Sequence, residues 1–115
     1  MARRRVAVTG VGVVAPCGIG APAFWRGLLE PPPPGEVLRI TDFDPDDHYD
    51  SPKESRRADR FEQFAHAAAQ EAIAMAGPLS AEPVRIGTVV GTGIGGLATI
   101  EAQSAVCRER GPRKV

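Results

Sequence analysis

The residue types that most often carry nucleophilic or acid–base chemistry are sparse in this 115-residue sequence, which has two cysteines and two histidines. Cys17 stands between Pro16 and Gly18 with no base signalled beside it, and a free cysteine is more often a small buried apolar group than a nucleophile. His66 falls within a helical pattern, where a lone histidine is usually a surface or packing residue. Taken by themselves, these residues predict no catalytic constellation.

Two glycine-rich segments match the spelling of a dinucleotide-binding fingerprint, Gly10-x-Gly12-x-x-Ala15 and Gly91-x-Gly93-x-x-Gly96. A working fingerprint needs a helix that begins within the glycines, because the helix's first amides hold the pyrophosphate. Pro16 and Gly18 prevent a helix after the first segment, and no later strand follows the second to supply a ribose-binding acid. We therefore favour tight turns and close backbone packing over nucleotide binding, and we predict no cofactor.

An acidic run, Asp42-Phe-Asp44-Pro-Asp46-Asp47, imitates the start of a calcium-binding EF-hand loop. The sixth position holds Asp47 where the loop needs glycine, and the twelfth holds Lys53 where it needs a bidentate glutamate. Calcium binding is therefore rejected, and no metal site is predicted. We interpret the run as a solvated turn ahead of a helix, whose N-terminus its negative charge favours.

Composition narrows the classes of function further. The 14 basic and 14 acidic side chains give a formal net charge of zero, and aromatic residues make up 5% of the chain. Nucleic-acid binding is excluded, because a general binder needs a cationic surface and aromatic stacking platforms. Two cysteines are too few for a disulfide scaffold and favour a reducing, cytoplasmic compartment.

The N-terminus allows a competing interpretation as a secretory signal. Three arginines precede an uncharged stretch from Val6 to Trp25, and Ala21-Pro-Ala23 imitates a cleavage site. Four glycines and two prolines within that stretch would make a poor helix. We therefore favour a buried strand that runs into a glycine-rich turn, and we predict no membrane association.

Helix and strand signals alternate along the chain. The clearest helix has Ser51 at its N-cap, with Pro52 and Glu54 completing a capping box, and it ends at Gly77-Pro78. Its predicted packing face is Phe61, Phe64, Ala65, Ala68, Ala72, Met75 and Ala76. The other predicted elements are a strand at 5–9, a helix at 21–29, a polyproline connection at 31–35, a strand at 84–90 and a helix at 97–110. This order predicts an α/β domain with a parallel or mixed sheet.

Several segments together resemble the N-terminal part of the β-ketoacyl-acyl carrier protein synthases, the type II condensing enzymes and polyketide ketosynthases. They occur in the family's order and span nearly the whole chain: Arg4-Arg-Val-Ala-Val-Thr-Gly-Val-Gly-Val-Val-Ala-Pro-Cys-Gly18, Phe24-Trp25 with Leu28-Leu29, Asp42-Phe-Asp-Pro45, Arg56-Arg-Ala-Asp-Arg-Phe-Glu-Gln-Phe-Ala65, Arg85-Ile-Gly-Thr-Val-Val-Gly-Thr-Gly-Ile-Gly-Gly-Leu97 and Gly111-Pro-Arg-Lys-Val115. One departure is the link from Leu29 to Asp42, which is shorter than is usual in the family.

The resemblance implies a thiolase-like fold, of which residues 1–115 form an incomplete N-terminal part. It implies decarboxylative Claisen condensation in fatty-acid or polyketide synthesis, an acyl carrier protein as partner, and a homodimer or a ketosynthase partner. The family's catalytic cysteine, in a Thr-Ala-Cys turn, and its catalytic histidines lie further along than this chain extends. We therefore expect the chain itself to hold no catalytic residue and to be inactive.

One family role can be assigned to a residue that is present, Ile94 in Gly93-Ile-Gly-Gly96. The resemblance implies that Ile94 lines the acyl-chain pocket; plain core packing is the alternative. Two other classes of function stay open at this point. The chain could be a non-catalytic interaction module that docks a partner through Pro31–Pro34 and the alanine face, or a secreted or lipid-anchored protein.

Overall fold

Helices form most of the regular structure in the computed structural model, which describes residue 3 and residues 5–32, 34–35 and 37–115. A short antiparallel hairpin joins β1 (Val14–Ala15) to β2 (Gly18–Ile19), with Val14 opposite Ile19. The helices are α1 (Ala21–Leu28), α2 (Pro52–Ser55), α3 (Arg60–Ala76) and α4 (Leu97–Arg110). Single 3₁₀ turns lie at Pro45–His48, Pro83–Arg85 and Pro112–Lys114.

The helix predicted from Ser51 to Gly77 is interrupted, which corrects one expectation. Ser51 does cap a helix, because its Oγ accepts a hydrogen bond from the Glu54 amide at 3.4 Å, but α2 ends after one turn. A second start follows at Asp59, whose amide donates to Glu62 Oε2 at 2.9 Å. The end of α3 is as predicted, with Gly77 at φ 75°. The sequence therefore contains two N-terminal capping signals in succession.

The corner between α2 and α3 holds the best-buried side chains of the described residues. Ser55 has no exposed surface, and Gln63 donates to its carbonyl oxygen at 2.8 Å. Phe43 is buried and meets the Phe64 ring edge-on at a centroid distance of 5.1 Å. The Arg60 guanidinium lies over both rings, 4.6 Å from the centroid of Phe64. The small core is thus a mixed polar and aromatic cluster.

The acidic run at 42–47 is only partly the solvated turn that was predicted. Asp44 caps the 3₁₀ turn by accepting from the Asp46 amide at 2.9 Å. Asp46, however, accepts from the hydroxyl of the fully buried Ser55. This carboxylate therefore ties the turn to α2 instead of being left in solvent.

The segment that leads into the hairpin packs against α3 by direct approach of backbone to backbone. A Cβ added at Gly10 would overlap the carbonyl of Ala72, and one at Gly12 would overlap the carbonyl of Ala68. The prediction that these glycines and the alanine face allow close packing is confirmed here. The first glycine segment leads into a hairpin and no helix begins there, as Pro16 and Gly18 predict.

The strands predicted at 5–9 and 84–90 are wrong for this structure. Neither segment pairs with a strand among the described residues, whose one sheet is the β1–β2 hairpin. Val6 is 91% exposed and Val89 is 97% exposed, although both were expected to be buried. A run of apolar residues indicates side chains that are stabilised by burial. A strand also needs a neighbouring strand, because its backbone N–H and C=O groups must form hydrogen bonds. The predicted parallel or mixed sheet is therefore not formed in the part of the chain that the structure describes.

The remaining helices begin and end close to where the sequence predicts. Pro22 lies in the first turn of α1, and α4 ends at Gly111 with φ 83°. The face of α4 that carries Leu97, Ile100, Ser104 and Cys107 is, however, exposed. The polyproline connection predicted at 31–35 includes residue 33, which lies outside the described residues.

Candidate functional site

Ile94, the predicted pocket residue, lies in a tight turn just before α4. The Gly95 amide donates to Thr92 Oγ1 at 3.0 Å, and Gly95 has φ 73°, a conformation that glycine adopts without strain. Ile94 itself is 69% exposed. It is therefore an apolar side chain presented by a hydrogen-bonded turn.

The start of α3 lies against this turn. The Asp59 carboxylate accepts a hydrogen bond from Thr99 Oγ1 in the first turn of α4 and lies close to Gly96. The Phe61 ring comes within 4.0 Å of the position that a Cβ on Gly95 would take. Since a carboxylate already occupies the first turn of α4, a phosphate there would meet like charge. The second glycine segment thus forms a turn; Gly96 packs against Asp59, whereas nothing lies within 4 Å of the position that a Cβ on Gly91 or Gly93 would take.

An apolar groove of about 710 Å³ opens between α3 and the segment that leads to the Ile94 turn. Phe61, Ala65 and Ala69 form one wall, and Thr88, Val90 and Thr92 form the other. Ile94 does not line this groove, although it follows Thr92 by two residues. The groove has the concave, mainly apolar character of a site for an apolar ligand, such as an alkyl chain.

A polar cluster beside this groove was missed by the sequence reasoning. Gln70 Oε1 lies 3.2 Å from His48 Nδ1, and Gln70 Nε2 lies 3.1 Å from His66 Nε2 and donates to the His48 carbonyl at 3.0 Å. Because a carbonyl can only accept, the amide nitrogen is fixed on that side, and His66 Nε2 must accept from it. The only local signal was the i, i+4 spacing of His66 and Gln70.

Tyr49 completes the polar cluster by stacking on His66, with ring centroids 4.6 Å apart. Partial burial, with a smaller contribution from the negative charge of Glu62, raises the pKa of the Tyr49 hydroxyl above its usual range. The phenol therefore stays protonated at neutral pH. The cluster fastens the 45–48 turn to α3, and it contains no thiol or hydroxyl nucleophile set against a base.

Neither cysteine lines the apolar groove or belongs to the polar cluster. Cys17 is half-buried in the turn between β1 and β2, where the backbone of Gly27 packs against its carbonyl, and Cys107 is exposed on α4. Within the described ranges, no three His, Cys, Asp or Glu side chains are grouped as metal ligands would be. No helix in that part of the chain is both long and apolar enough to span a bilayer.

Comparison with known proteins gives one consistent result. Residues 31–114 match the family description "Beta-ketoacyl synthase, N-terminal domain". A Streptomyces cyaneus protein named "Putative polyketide beta-ketoacyl synthase 1" is 43% identical over 96% of this chain and 30% of its own length. The 3-oxoacyl-[acyl-carrier-protein] synthase 2 of Vibrio harveyi is 35% identical over 100% of this chain and 31% of its own.

The chain therefore spans about a third of the length of these relatives. The alignment with the Vibrio harveyi protein runs over 134 residues, against 115 in this chain, so the relative holds residues here that this chain lacks. A relative longer than this chain over the aligned region is what the short link between Leu29 and Asp42 predicts. The resemblance inferred from the sequence motifs is confirmed.

Proposed function

The chain belongs to the β-ketoacyl synthase family, a family of thiolase-like fold, and we propose that it supplies the N-terminal part of a condensing enzyme and ends before the catalytic cysteine segment. The observation that carries this proposal is the match of residues 31–114 to the family's N-terminal domain. The relatives' names include both 3-oxoacyl-acyl carrier protein synthases and polyketide synthases. Fatty-acid and polyketide synthesis are therefore both possible settings for the reaction.

In the proposed reaction, a cysteine thiolate takes the acyl group from a primer thioester and releases the primer's thiol, and malonyl-carrier protein loses CO₂. The resulting carbanion attacks the acyl thioester carbon, the bond from that carbon to the cysteine sulfur breaks, and a 3-oxoacyl thioester leaves on the carrier protein. These steps need a thiolate and donors to the thioester oxyanions. We assign those groups to the remainder of the synthase. Its partners would be an acyl carrier protein and a second synthase subunit.

The contribution of this chain is to shape the site for the acyl chain. Ile94 is an exposed apolar side chain on a turn held by Thr92, next to an apolar groove. Such a side chain, covered by the rest of a synthase, would form a wall that limits the length of the acyl chain. The exposure of Ile94 and its place in the family's glycine-rich motif support this role.

A hybrid enzyme tests the proposed function. In this hybrid synthase, residues 1–115 replace the matching segment of the Vibrio harveyi relative. We expect the purified hybrid to form 3-oxoacyl thioester from an acyl primer and malonyl-carrier protein. The 115-residue chain alone, and the relative with the segment deleted, should form none. A second hybrid, built on the Streptomyces cyaneus relative, controls for incompatibility between this chain and the first relative. Inactivity of both hybrids, or condensation by the isolated chain, would overturn the proposal.

Substitution of Ile94 tests the pocket role within the hybrid synthase. Ile94→Phe should shorten the longest acyl primer that is accepted, because the larger ring overfills a pocket wall at a cost of about 1–3 kcal/mol. Ile100→Phe, at an exposed position on α4, is the matched control and should leave the chain-length profile as it was. An unchanged profile in a stably folded Ile94→Phe hybrid would refute the pocket role.

A further inference from the structure

We infer that Asp59 and Thr99 are positioning residues for Ile94, so that the acyl chain length accepted by the synthase depends on the hydrogen bond between them. This inference rests on the proposed pocket role of Ile94. It goes beyond that role because it places part of the control of chain length on polar groups outside the pocket. Neither residue is assigned contact with the acyl chain.

Contacts on the two glycines that follow Ile94 carry the inference. The Gly95 amide donates to Thr92 Oγ1 at 3.0 Å, and the Phe61 ring comes within 4.0 Å of the position that a Cβ on Gly95 would take. The Asp59 carboxylate lies against Gly96 and accepts from the Thr99 hydroxyl. The turn that presents Ile94 is therefore held from its own side by Thr92 and from α3 by Asp59.

Asp59 can act as a fixed point because its backbone is itself fixed. Its amide donates to Glu62 Oε2 at 2.9 Å, and its carbonyl accepts from the Gln63 amide at 3.0 Å. Gln63 is in turn buried and bonded to the carbonyls of Ser55 and Ala58. The carboxylate thus projects from a corner that several hydrogen bonds hold in place. A hydrogen bond to a charged acceptor is also stronger than one between neutral groups.

The helix on the other side of the contact has little besides its own backbone hydrogen bonds to fix its first turn. No residue of α4 is buried, and its N-cap, Gly96, has no side chain that could cap it. Loss of the bond from Thr99 would therefore release the first turn of α4, and the Ile94 turn with it. One methylene group in an apolar pocket alters selectivity by roughly 10–200-fold. A shift of the Ile94 side chain by less than the length of one methylene group would therefore change which acyl chains fit.

The experiment uses the hybrid synthase with substitutions at Thr99. Thr99→Val keeps the shape of the side chain and removes its hydroxyl, whereas Thr99→Ser keeps the hydroxyl. The readout is the ratio of kcat/KM for the longest accepted primer to kcat/KM for a short primer. We expect Thr99→Val to change this ratio by about three- to tenfold, the range that one lost hydrogen bond can produce. Thr99→Ser should keep it within about twofold of the parent.

The outcomes separate this inference from the function on which it rests. If Ile94→Phe changes the ratio and Thr99→Val does not, the inference is overturned and the proposed pocket role stands. If Thr99→Val lowers kcat/KM for both primers equally, the contact is only structural and the inference is again overturned. If neither substitution changes the ratio, the pocket role fails and the inference fails with it. Asp59→Asn keeps an oxygen acceptor for Thr99 but removes its charge, and should therefore fall between Thr99→Ser and Thr99→Val.

Discussion

At the scale of single residues, Glu71 shows how one side chain can organise a chain with a small core. This half-buried carboxylate on α3 accepts from the Val13 amide at 2.9 Å and from the Ala21 amide at 2.6 Å. Ala21 begins α1, where the free amides and the helix dipole favour a negative charge. Glu71 therefore joins the hairpin, the start of α1 and the middle of α3 through two backbone donors.

Removal of this carboxylate should destabilise the N-terminal third of the chain. Glu71→Ala leaves two part-buried amides without an acceptor, and we expect the hybrid synthase to lose about 1–3 kcal/mol of unfolding free energy in urea. Glu71→Gln keeps one acceptor oxygen and should fall between the parent and Glu71→Ala. Glu101→Ala, on the exposed surface of α4, is the control. A Glu71→Ala hybrid as stable as the control would show that these hydrogen bonds contribute nothing.

At the scale of elements, the contact between α3 and the segment that leads into the hairpin depends on small residues on both sides. Gly10 and Gly12 bring their backbone onto the carbonyls of Ala72 and Ala68, which a side chain on either glycine would prevent. Gly87 offers a contrast, because nothing lies within 4 Å of the position of its missing Cβ. Close packing thus requires glycine at positions 10 and 12, and it does not require glycine at position 87.

These two glycine environments give a matched pair of substitutions. Gly12→Ala should force the hairpin away from α3 and lower the unfolding free energy of the hybrid synthase by about 1–3 kcal/mol, as overpacking does. Gly87→Ala adds the same methyl group in open space and should change the stability by much less. Urea denaturation followed by circular dichroism measures both. Equal effects from the two substitutions would contradict the packing assigned to Gly12.

Local signals explain which elements could be predicted from the sequence. Pro22, Ser51, Gly77 and Gly111 start or end helices through contacts within one turn, and the structure places helix boundaries at each of them. The break before α3 was missed because the apolar spacing continues across a second capping signal at Asp59. The strands at 5–9 and 84–90 could not form, because strand pairing depends on a partner segment that periodicity does not reveal.

The candidate site also has one part that the sequence predicts and one part that it does not. The position of Ile94 in a turn before a helix followed from the glycine spacing. The groups that hold that turn could not be predicted in this way. Asp59 and Thr99 are 40 residues apart, whereas helical spacing brings together only residues three or four apart. Glu71 is likewise 58 residues from Val13. Contacts at such separations follow from tertiary packing, and no pattern along the chain encodes them.

At the scale of the whole molecule, the chain is expanded and incompletely covered. Its radius of gyration is 18.3 Å, whereas a compact domain of this length has about 13 Å. Its accessible surface is 9930 Å², against about 6,000 Å² for a folded protein of this mass. The excess surface includes valines of the two apolar segments that pair with no strand, Val6, Val8, Val84, Val89 and Val90. The hydrophobic stabilisation available to this chain alone is correspondingly small.

We therefore expect the isolated 115-residue chain to fold poorly. The two apolar segments have unpaired backbone groups that can add to strands of other chains, which favours association. Size exclusion should give large soluble aggregates, and circular dichroism should show a broad thermal transition. In the hybrid synthase, where the rest of the enzyme can cover these segments, the same residues should unfold within a cooperative transition. A sharp monomer peak with one cooperative melt for the isolated chain would contradict this expectation, and would favour a module that is stable by itself.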